Sequence, residues 1–131
     1  MEGAALTALA EALCRTFLGW RLREDRDALV ALGEGALRID LRSGEAWCDA
    51  DPIPPLFLAG ELQRELAAGL AAAGLAPEAL RRAHLDALFR ARSTWRDGRE
   101  VPALDISCRA TLALDAGEFS AEANNAGAGS F

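Results

Sequence analysis

The sequence predicts an α+β fold in a single domain, with one antiparallel sheet of about five strands and three helices packed mainly on one face of it. The 131 residues suit one domain, and a composition of 51% hydrophobic and 26% charged residues excludes a disordered chain. Apolar residues recur every three or four positions in some segments, which is typical of helices, and every second position in others, which is typical of strands. The predicted order of the elements is α-β-β-β-α-α-β-β.

The first predicted element is an amphipathic helix over residues 3–18 that ends at Gly19, because glycine readily takes the left-handed conformation that closes a helix. Its apolar stripe consists of Leu6, Leu9, Leu13 and Phe17. The spacing of Trp20 and Leu22 favours the start of a short strand, and the charged run at 23–27 indicates a loop.

Three short apolar segments follow and predict a meander of three strands. The clearest is 37–41, where apolar residues alternate with charged ones in the order Leu37, Arg38, Ile39, Asp40 and Leu41. Turns that contain glycine separate the segments. The predicted strands cover residues 28–32, 37–41 and 46–48.

The second half begins after Pro52, Pro54 and Pro55, which stop the sheet because proline cannot donate to a ladder. Apolar spacing then predicts two successive helices, and strict alternation predicts a long strand with a hairpin partner. The predicted helices are residues 56–73 and Pro77 to about Arg92, and the predicted strands are 104–114 and 119–123. We expect one domain over residues 1–123 and a flexible Gly/Ala-rich tail over 124–131.

The charge balance bears on the partner. Fourteen basic residues, all arginine, stand against twenty acidic ones, for a net charge of −6. An acidic surface repels phosphate groups, so we expect neither nucleic acid nor an anionic membrane as a partner. No apolar run in the sequence approaches the roughly 20 residues that cross a bilayer, and the N-terminal residues do not resemble a secretory signal. These features predict a cytoplasmic protein.

The cysteines and glycines predict neither a cofactor nor a metal site. Cys14, Cys48 and Cys108 are odd in number and far apart. Their spacing matches neither a zinc site nor a Cys-x-x-Cys redox pair, so we expect three buried free thiols. Gly33-x-Gly35 is interpreted as a turn, because Arg38 stands where a dinucleotide-binding motif needs its third glycine.

Catalytic candidates are few. His84 is the single histidine, and no Gly-x-Ser-x-Gly nucleophile motif accompanies it. Asp49 and Asp51 offer two carboxylates of the kind that magnesium prefers, but ordinary loop chemistry is the simpler interpretation because no phosphate-binding loop accompanies them. We predict a protein that is not an enzyme, with a small enzyme that uses His84 as the less favoured alternative.

The candidate binding residues are three tryptophans and one polar sheet face. Trp20, Trp47 and Trp95 each lie beside a turn or a strand end, where a half-exposed ring can anchor an interface. Core packing is the alternative for any one of them. If the strands join one sheet, the face opposite the core carries Asp105, Ser107 and Thr111 together with the residues that we select as contacts to another protein, namely Arg38, Asp40, Arg42 and Arg109.

The C-terminal third resembles a known family. Ser93-Thr94-Trp95, the strand RATLALD and the segment 117–124 are similar to the end of the YezG-like immunity proteins, and Gly19-Trp20 after the first helix is similar as well. Those are small cytosolic proteins that neutralise toxins of polymorphic secretion systems. The resemblance implies a protein-binding inhibitor of a toxin and supplies no catalytic residue.

A second resemblance implies a different role. An acidic chain of this size with the segments ALVAL, ALRIDL and ATLALD resembles type III secretion chaperones and their YbjN-like relatives. That resemblance implies a homodimeric adaptor, which binds an extended segment of a secreted or effector protein. Both resemblances make the partner another protein, and the two alternatives stay open at this point.

Overall fold

Six antiparallel strands form one sheet in the computed structural model, which describes residues 2–20 and 22–125. The predicted α+β fold class is confirmed, with three helices and one strand more than expected. In chain order the elements are α1 (Glu2–Gly19), α2 (Arg23–Leu32), β1 (Glu34–Asp40), β2 (Ala46–Cys48), β3 (Asp51–Ile53), α3 (Leu58–Ala72), a 3-10 turn (Pro77–Ala79), β4 (Leu80–Arg96), β5 (Arg99–Leu114) and β6 (Gly117–Asn124).

The helices cover one face of the sheet. α1 packs on β5 and β6, α2 lies against β1, β4 and β5, and α3 packs against α1. A small cavity bounded by Phe17, Leu29, Leu58 and Ile106 lies where all three helices meet β5. The helices and the covered face of the sheet therefore share a single hydrophobic core.

The strand order is β3-β2-β1-β4-β5-β6, so the longest hairpin lies in the middle of the sheet. β4 and β5 pair from Leu80 opposite Leu114 to Arg96 opposite Arg99. β1 pairs with β4 only up to residue 90, and β6 pairs with β5 only from residue 107 onward. Residues 92–103 consequently extend past their neighbours as a two-stranded ribbon, which we call the β-arm.

Several predicted elements are present at close to their predicted positions. These are α1, β1, β2, α3, β5 and β6. The apolar stripe of α3 is buried as its four-residue spacing requires, at Leu58, Leu62, Leu66 and Leu70.

The segment 23–32 is a helix, so the loop and strand predicted there are wrong, as is a strand at Trp20 and Leu22. The charged run is the first turn of α2, where acidic residues are favoured by the helix dipole. Asp25 and Leu29, four residues apart, are buried on one side of this helix. An apolar run of five residues fits a helix or a strand equally well, and only the charged residues before it extend it to helical length.

The segment 80–96 is a strand, so the predicted third helix is wrong. Its buried residues alternate at Ala83, Leu85, Ala87 and Phe89. Leu88, which the helical interpretation placed on the apolar side, is 64% exposed on the opposite face. Arginine, leucine and alanine favour helices as isolated residues, but pairing with β1 on one side and β5 on the other outweighs that local preference.

Two segments that were predicted to lie outside the sheet contribute to it. Pro52 does not stop the sheet but lies in β3 at its edge, the position where a strand tolerates proline. The predicted tail over 124–131 falls mostly on residues outside the described part of the chain. Within the described part, Asn124 ends β6 and the Asn125 side chain bonds the backbone of Leu104 and Ile106.

The cysteines are part of the core. Cys14 on α1 donates weakly to the carbonyl of Ala121 on β6, at 3.4 Å, and Cys108 on β5 lies next to the Cys14 carbonyl at 3.8 Å. Cys48 is buried on β2, and burial raises the pKa of its thiol. All three are free thiols, as the sequence predicts.

Candidate functional site: the open face of the sheet

The open face is the set of strand side chains on the side of the sheet opposite the helices. Residues adjacent to them along each strand, such as Leu37, Leu85 and Cys108, are buried in the core. By the strand register, the open face includes Ala36, Arg38, Asp40, Trp47, His84, Asp86, Leu88, Ser107, Arg109, Thr111, Ser120, Glu122 and Asn124.

A row of alternating charges crosses this face. Trp47, Arg38, Asp86, Arg109 and Glu122 are successive cross-strand partners from β2 to β6. Arg38 donates two hydrogen bonds to Asp86, from Nε to Oδ1 at 2.6 Å and from Nη2 to Oδ2 at 3.2 Å. These bonds raise the pKa of Arg38. Arg109 Nη1 lies 3.6 Å from Glu122 Oε1. Opposite charges face each other along the row, which is the favourable pairing across strands.

His84 lies one row away, between Asp40 on β1 and Thr111 on β5. Its Nε2 is 3.3 Å from Asp86 Oδ2. Burial lowers the pKa of His84 against the pull of Asp86, and the positive charges of Arg38 and Arg82 lower it further. The imidazole is therefore neutral at neutral pH and serves as a hydrogen-bonding group rather than a charge.

A shallow groove of about 930 Å³ occupies the middle of the open face. Its lining includes Ala36, Leu88 and Ser107, which are cross-strand partners in one row of small or apolar residues. Charged side chains of the neighbouring row, Arg38, Asp86 and Arg109, form its rim together with the indole of Trp47. The groove thus combines a row of small or apolar residues with a neighbouring row of charged ones.

The structure brings together four of the seven residues that the sequence singled out for binding. Arg38, Asp40, Trp47 and Arg109 share the open face. Arg42 follows β1, and its Nη1 donates to the Arg81 carbonyl at 2.9 Å, at one end of the same face.

The other two tryptophans lie elsewhere. Trp20 packs on the covered side, beside Phe17 and Leu29, which matches the core-packing alternative. Trp95 lies on the β-arm and is 71% exposed, away from the groove. The three tryptophans therefore do not form one surface.

Sequence reasoning missed Asp86, Leu88 and Glu122 as members of the open face. Asp86 and Leu88 were assigned to a helix, where they would not lie in a row with Arg38. The one local signal is the apolar residues at alternate positions from Ala83 to Phe89, and the apolar Leu88 between them partly conceals it.

The acidic pair at 49 and 51 has a structural role in part. Asp49 Oδ1 accepts the backbone N–H of Ala36 at 2.9 Å, and Asp49 and Ala50 both have positive φ, 51° and 71°, in the turn between β2 and β3. In the described part of the chain, no three histidine, cysteine or acidic side chains cluster closely enough to hold a metal ion.

Comparisons with family models, curated proteins and solved structures find no match to this chain. The resemblances to YezG-like immunity proteins and to secretion chaperones therefore stay predictions. None of the helices in the described residues combines the length and apolar character that crossing a bilayer requires.

Proposed function

We propose that this chain is a non-enzymatic protein-binding module, an immunity-like inhibitor whose open face contacts a folded, basic partner protein in the cytoplasm. The observation that carries the proposal is the groove on the open face, where Leu88 is 64% exposed in the middle of charged rows. An apolar centre with a polar rim is the usual anatomy of a protein interface. A large exposed apolar side chain at the centre of such a patch is the expected binding anchor.

The basic character of the partner follows from charge. The chain has a net charge of −6, and oppositely charged surfaces associate faster than neutral ones. At the groove, Asp86 pairs with Arg38 and also contacts His84, while Glu122 pairs with Arg109, and both arginine pairs are exposed. Because such exposed pairs contribute little energy, a basic side chain of the partner can take over these carboxylates.

A secretion-chaperone-like adaptor is the alternative, and one observation favours it. In the described residues β6 pairs only with β5 and forms an edge of the sheet. An extended segment of another protein binds such an edge by adding a strand. This alternative requires a partner that binds as an unfolded segment, in contrast to the folded partner of the main proposal.

A small enzyme remains the less favoured reading. The contact between His84 and Asp86 is one that a general base uses. Thr111 is its buried neighbour on β5, but in the described part of the chain the Thr111 hydroxyl makes no hydrogen bond with the imidazole. The absence of enzymatic activity stays a prediction.

The test compares two charge substitutions of exposed leucines. Leu88→Glu places a carboxylate in the groove. Leu32→Glu places one on α2, on the other side of the sheet from the groove, where Leu32 is 42% exposed. Tagged wild-type chain captures candidate partners from a lysate of the source organism, and each is purified for binding measurements with both variants. We expect Leu88→Glu to weaken the complex at least tenfold, equivalent to about 1.4 kcal/mol, and Leu32→Glu to leave it unchanged.

The outcomes separate the hypotheses. A folded, positively charged partner that is lost only with Leu88→Glu supports the proposal. A partner that binds both variants equally well rules out the groove as the interface. A partner that binds only as an unfolded segment favours the adaptor, and a chain that captures no protein but turns over a metabolite, with loss of turnover in His84→Gln, favours the enzyme.

A further inference from the structure

A second cavity, distinct from the groove, lies at the end of the open face where β1 finishes and β4 begins. It has a volume of about 390 Å³, and four of the fourteen arginines of the chain line it. They are Arg38, Arg42, Arg81 and Arg82, accompanied by Trp47 and His84. The volume is in the range of cavities that hold small molecules.

The strand geometry explains why arginines from distant positions meet here. Arg38 is on β1, and Arg42 lies just beyond the end of that strand. β4 begins with a register shift between Leu80 and Arg82, so Arg81 is an extra residue that interrupts the pairing. The Arg42 guanidinium bonds the Arg81 carbonyl and thereby ties the two strand ends together.

The cavity is positive although the whole chain is acidic. Asp40 supplies the one carboxylate in the lining, and its Oδ1 already accepts the backbone N–H groups of Arg42 and Ser43, at 2.8 and 3.0 Å. The neutral state of His84 adds a hydrogen-bonding group without a charge. Four cations against one occupied carboxylate leave an excess of N–H donors that face a common space.

The arginines retain unused donors. Arg38, Arg81 and Arg82 pair with Asp86, Asp115 and Glu118, respectively, all outside the lining. These pairs are exposed, and exposed ion pairs are weak competitors for an incoming anion. Within the described part of the chain Arg42 makes no ion pair, and its Nη1 donates to the Arg81 carbonyl instead.

Trp47 indicates that a ligand of this cavity carries a flat ring in addition to an anionic group. It is the cross-strand partner of Arg38, and its side chain lines both this cavity and the groove. Indole and guanidinium planes both stack on flat rings. A wall made of one indole and several arginines therefore fits a planar ring that carries an anionic group.

We propose that this cavity, which we call the arginine pocket, binds a small oxyanion, phosphate or carboxylate, attached to a planar ring. The guanidinium groups of Arg42 and Arg82 bind the oxyanion through charge-assisted hydrogen bonds, and Trp47 contacts the ring. This inference goes beyond the proposed protein-binding function and does not depend on it, because its test needs only the purified chain and small anions.

The test is calorimetric titration of the full chain with phenyl phosphate, benzoate and inorganic phosphate. We expect saturable binding of a ring-bearing anion, about tenfold tighter than that of inorganic phosphate because of the ring contact with Trp47. Phenyl phosphate against benzoate identifies the preferred oxyanion. Saturable binding of none of the three at millimolar concentration would overturn the proposal.

Variants assign the binding to this cavity. Arg42→Gln should weaken both ring-bearing probes about tenfold, and Trp47→Leu should remove the advantage of those probes over inorganic phosphate. Arg23→Gln, an equal charge change on the exposed side of α2, serves as the matched control and should change affinity less than twofold. Equal losses of affinity in Arg42→Gln and Arg23→Gln would show that binding depends only on the net charge of the chain, and this result would refute the site. Thermal melting of each variant confirms that it is folded.

Discussion

The two faces of the central hairpin are built from the same strands but depend on different interactions. On the covered face Leu85 is completely buried, and its neighbours on β1 and β5 are Ile39 and Ala110. On the open face, three residues further along β4, Leu88 is largely exposed among charged side chains. Burial of apolar area stabilises the covered face, whereas exposed ion pairs contribute little to the open face. The open face can therefore vary in sequence without loss of the fold, which is the property a specific binding surface needs.

The first prediction separates the two faces most strongly. Leu85→Ala removes a fully buried side chain and should lower the free energy of unfolding by about 2–5 kcal/mol, because it leaves a cavity in the core. Leu88→Ala, in the same strand, should change it by less than about 0.5 kcal/mol. Urea unfolding followed by tryptophan fluorescence measures both. Similar losses in the two variants would show that the open face is covered in solution, by a second copy or by the residues outside the described part of the chain.

The same comparison applies to carboxylates. Asp25 on α2 is 4% exposed and belongs to the covered side. Its two oxygens accept the N–H groups of Phe57 and Leu58, at 2.7 and 2.8 Å, at the start of α3. Asp25 thus caps a helix to which it does not belong.

The second prediction follows from this cap. Asp25→Ala leaves two backbone N–H groups, one buried and one partly buried, without an acceptor and should cost about 1–3 kcal/mol. Asp27→Ala, two residues further along α2 and exposed, gains the same helix propensity and should stay within about 0.5 kcal/mol of wild type. Denaturation curves of the two variants give the difference. Equal stability would mean that water replaces the carboxylate at the start of α3.

The covered face explains which elements the sequence predicts well. The sequence of β5 alternates from Leu104 to Leu114, and its burial alternates from Leu104 to Ala110, because one side of the strand faces the helices. In β4 the exposed Leu88 stands beside the buried Phe89 and conceals the alternation. The identity of β4 is decided by its two neighbouring strands, and pairing between residues distant in sequence is not encoded in local periodicity.

The candidate site is predictable only as far as its strands are. Arg38, Asp40 and Arg109 were selected because β1 and β5 were read as strands of one sheet, and the register confirms that they share a face. Asp86 was missed together with β4, although it is the partner that holds Arg38. The meeting of Arg81 and Arg42 depends on a strand end and a register shift, and neither has a sequence signature.

The third prediction concerns pH and the open face. Burial lowers the pKa of His84 below its usual value of 6.5, and the positive charges of Arg38 and Arg82 lower it further. The negative charges of Asp86 and Glu118 act in the opposite direction, but they do not restore the usual value. The unfolded chain therefore binds a proton more readily than the folded one. The contribution of neutral His84 to stability is complete above about pH 6.5 and is lost as the pH falls below that value, by at most about 1.4 kcal/mol per pH unit.

His84→Gln tests this dependence. Wild type should lose stability relative to the variant between about pH 6.5 and pH 5, with the two curves parallel at higher pH. Urea unfolding at several pH values measures the difference. The opposite result would be a free energy of unfolding of wild type that rises relative to the variant on acidification. It would mean that the attraction of Asp86 outweighs burial and that His84 is charged on the open face.

The smallest expected effect concerns the ion pair that separates the groove from the arginine pocket. Arg38 and Asp86 make two hydrogen bonds, at 2.6 and 3.2 Å, but both side chains are exposed. A double-mutant cycle with Arg38→Gln and Asp86→Asn should give a coupling energy of about 0.2–1 kcal/mol, and the coupling should decrease in high salt because exposed charges are screened. A coupling above about 2 kcal/mol would place this pair in the class of desolvated interactions and remove the contrast between the faces. With a small coupling energy, either group can leave its partner and bind a ligand instead. Arg38 can then bind the oxyanion in the arginine pocket, and Asp86 can bind a basic side chain of a partner protein in the groove.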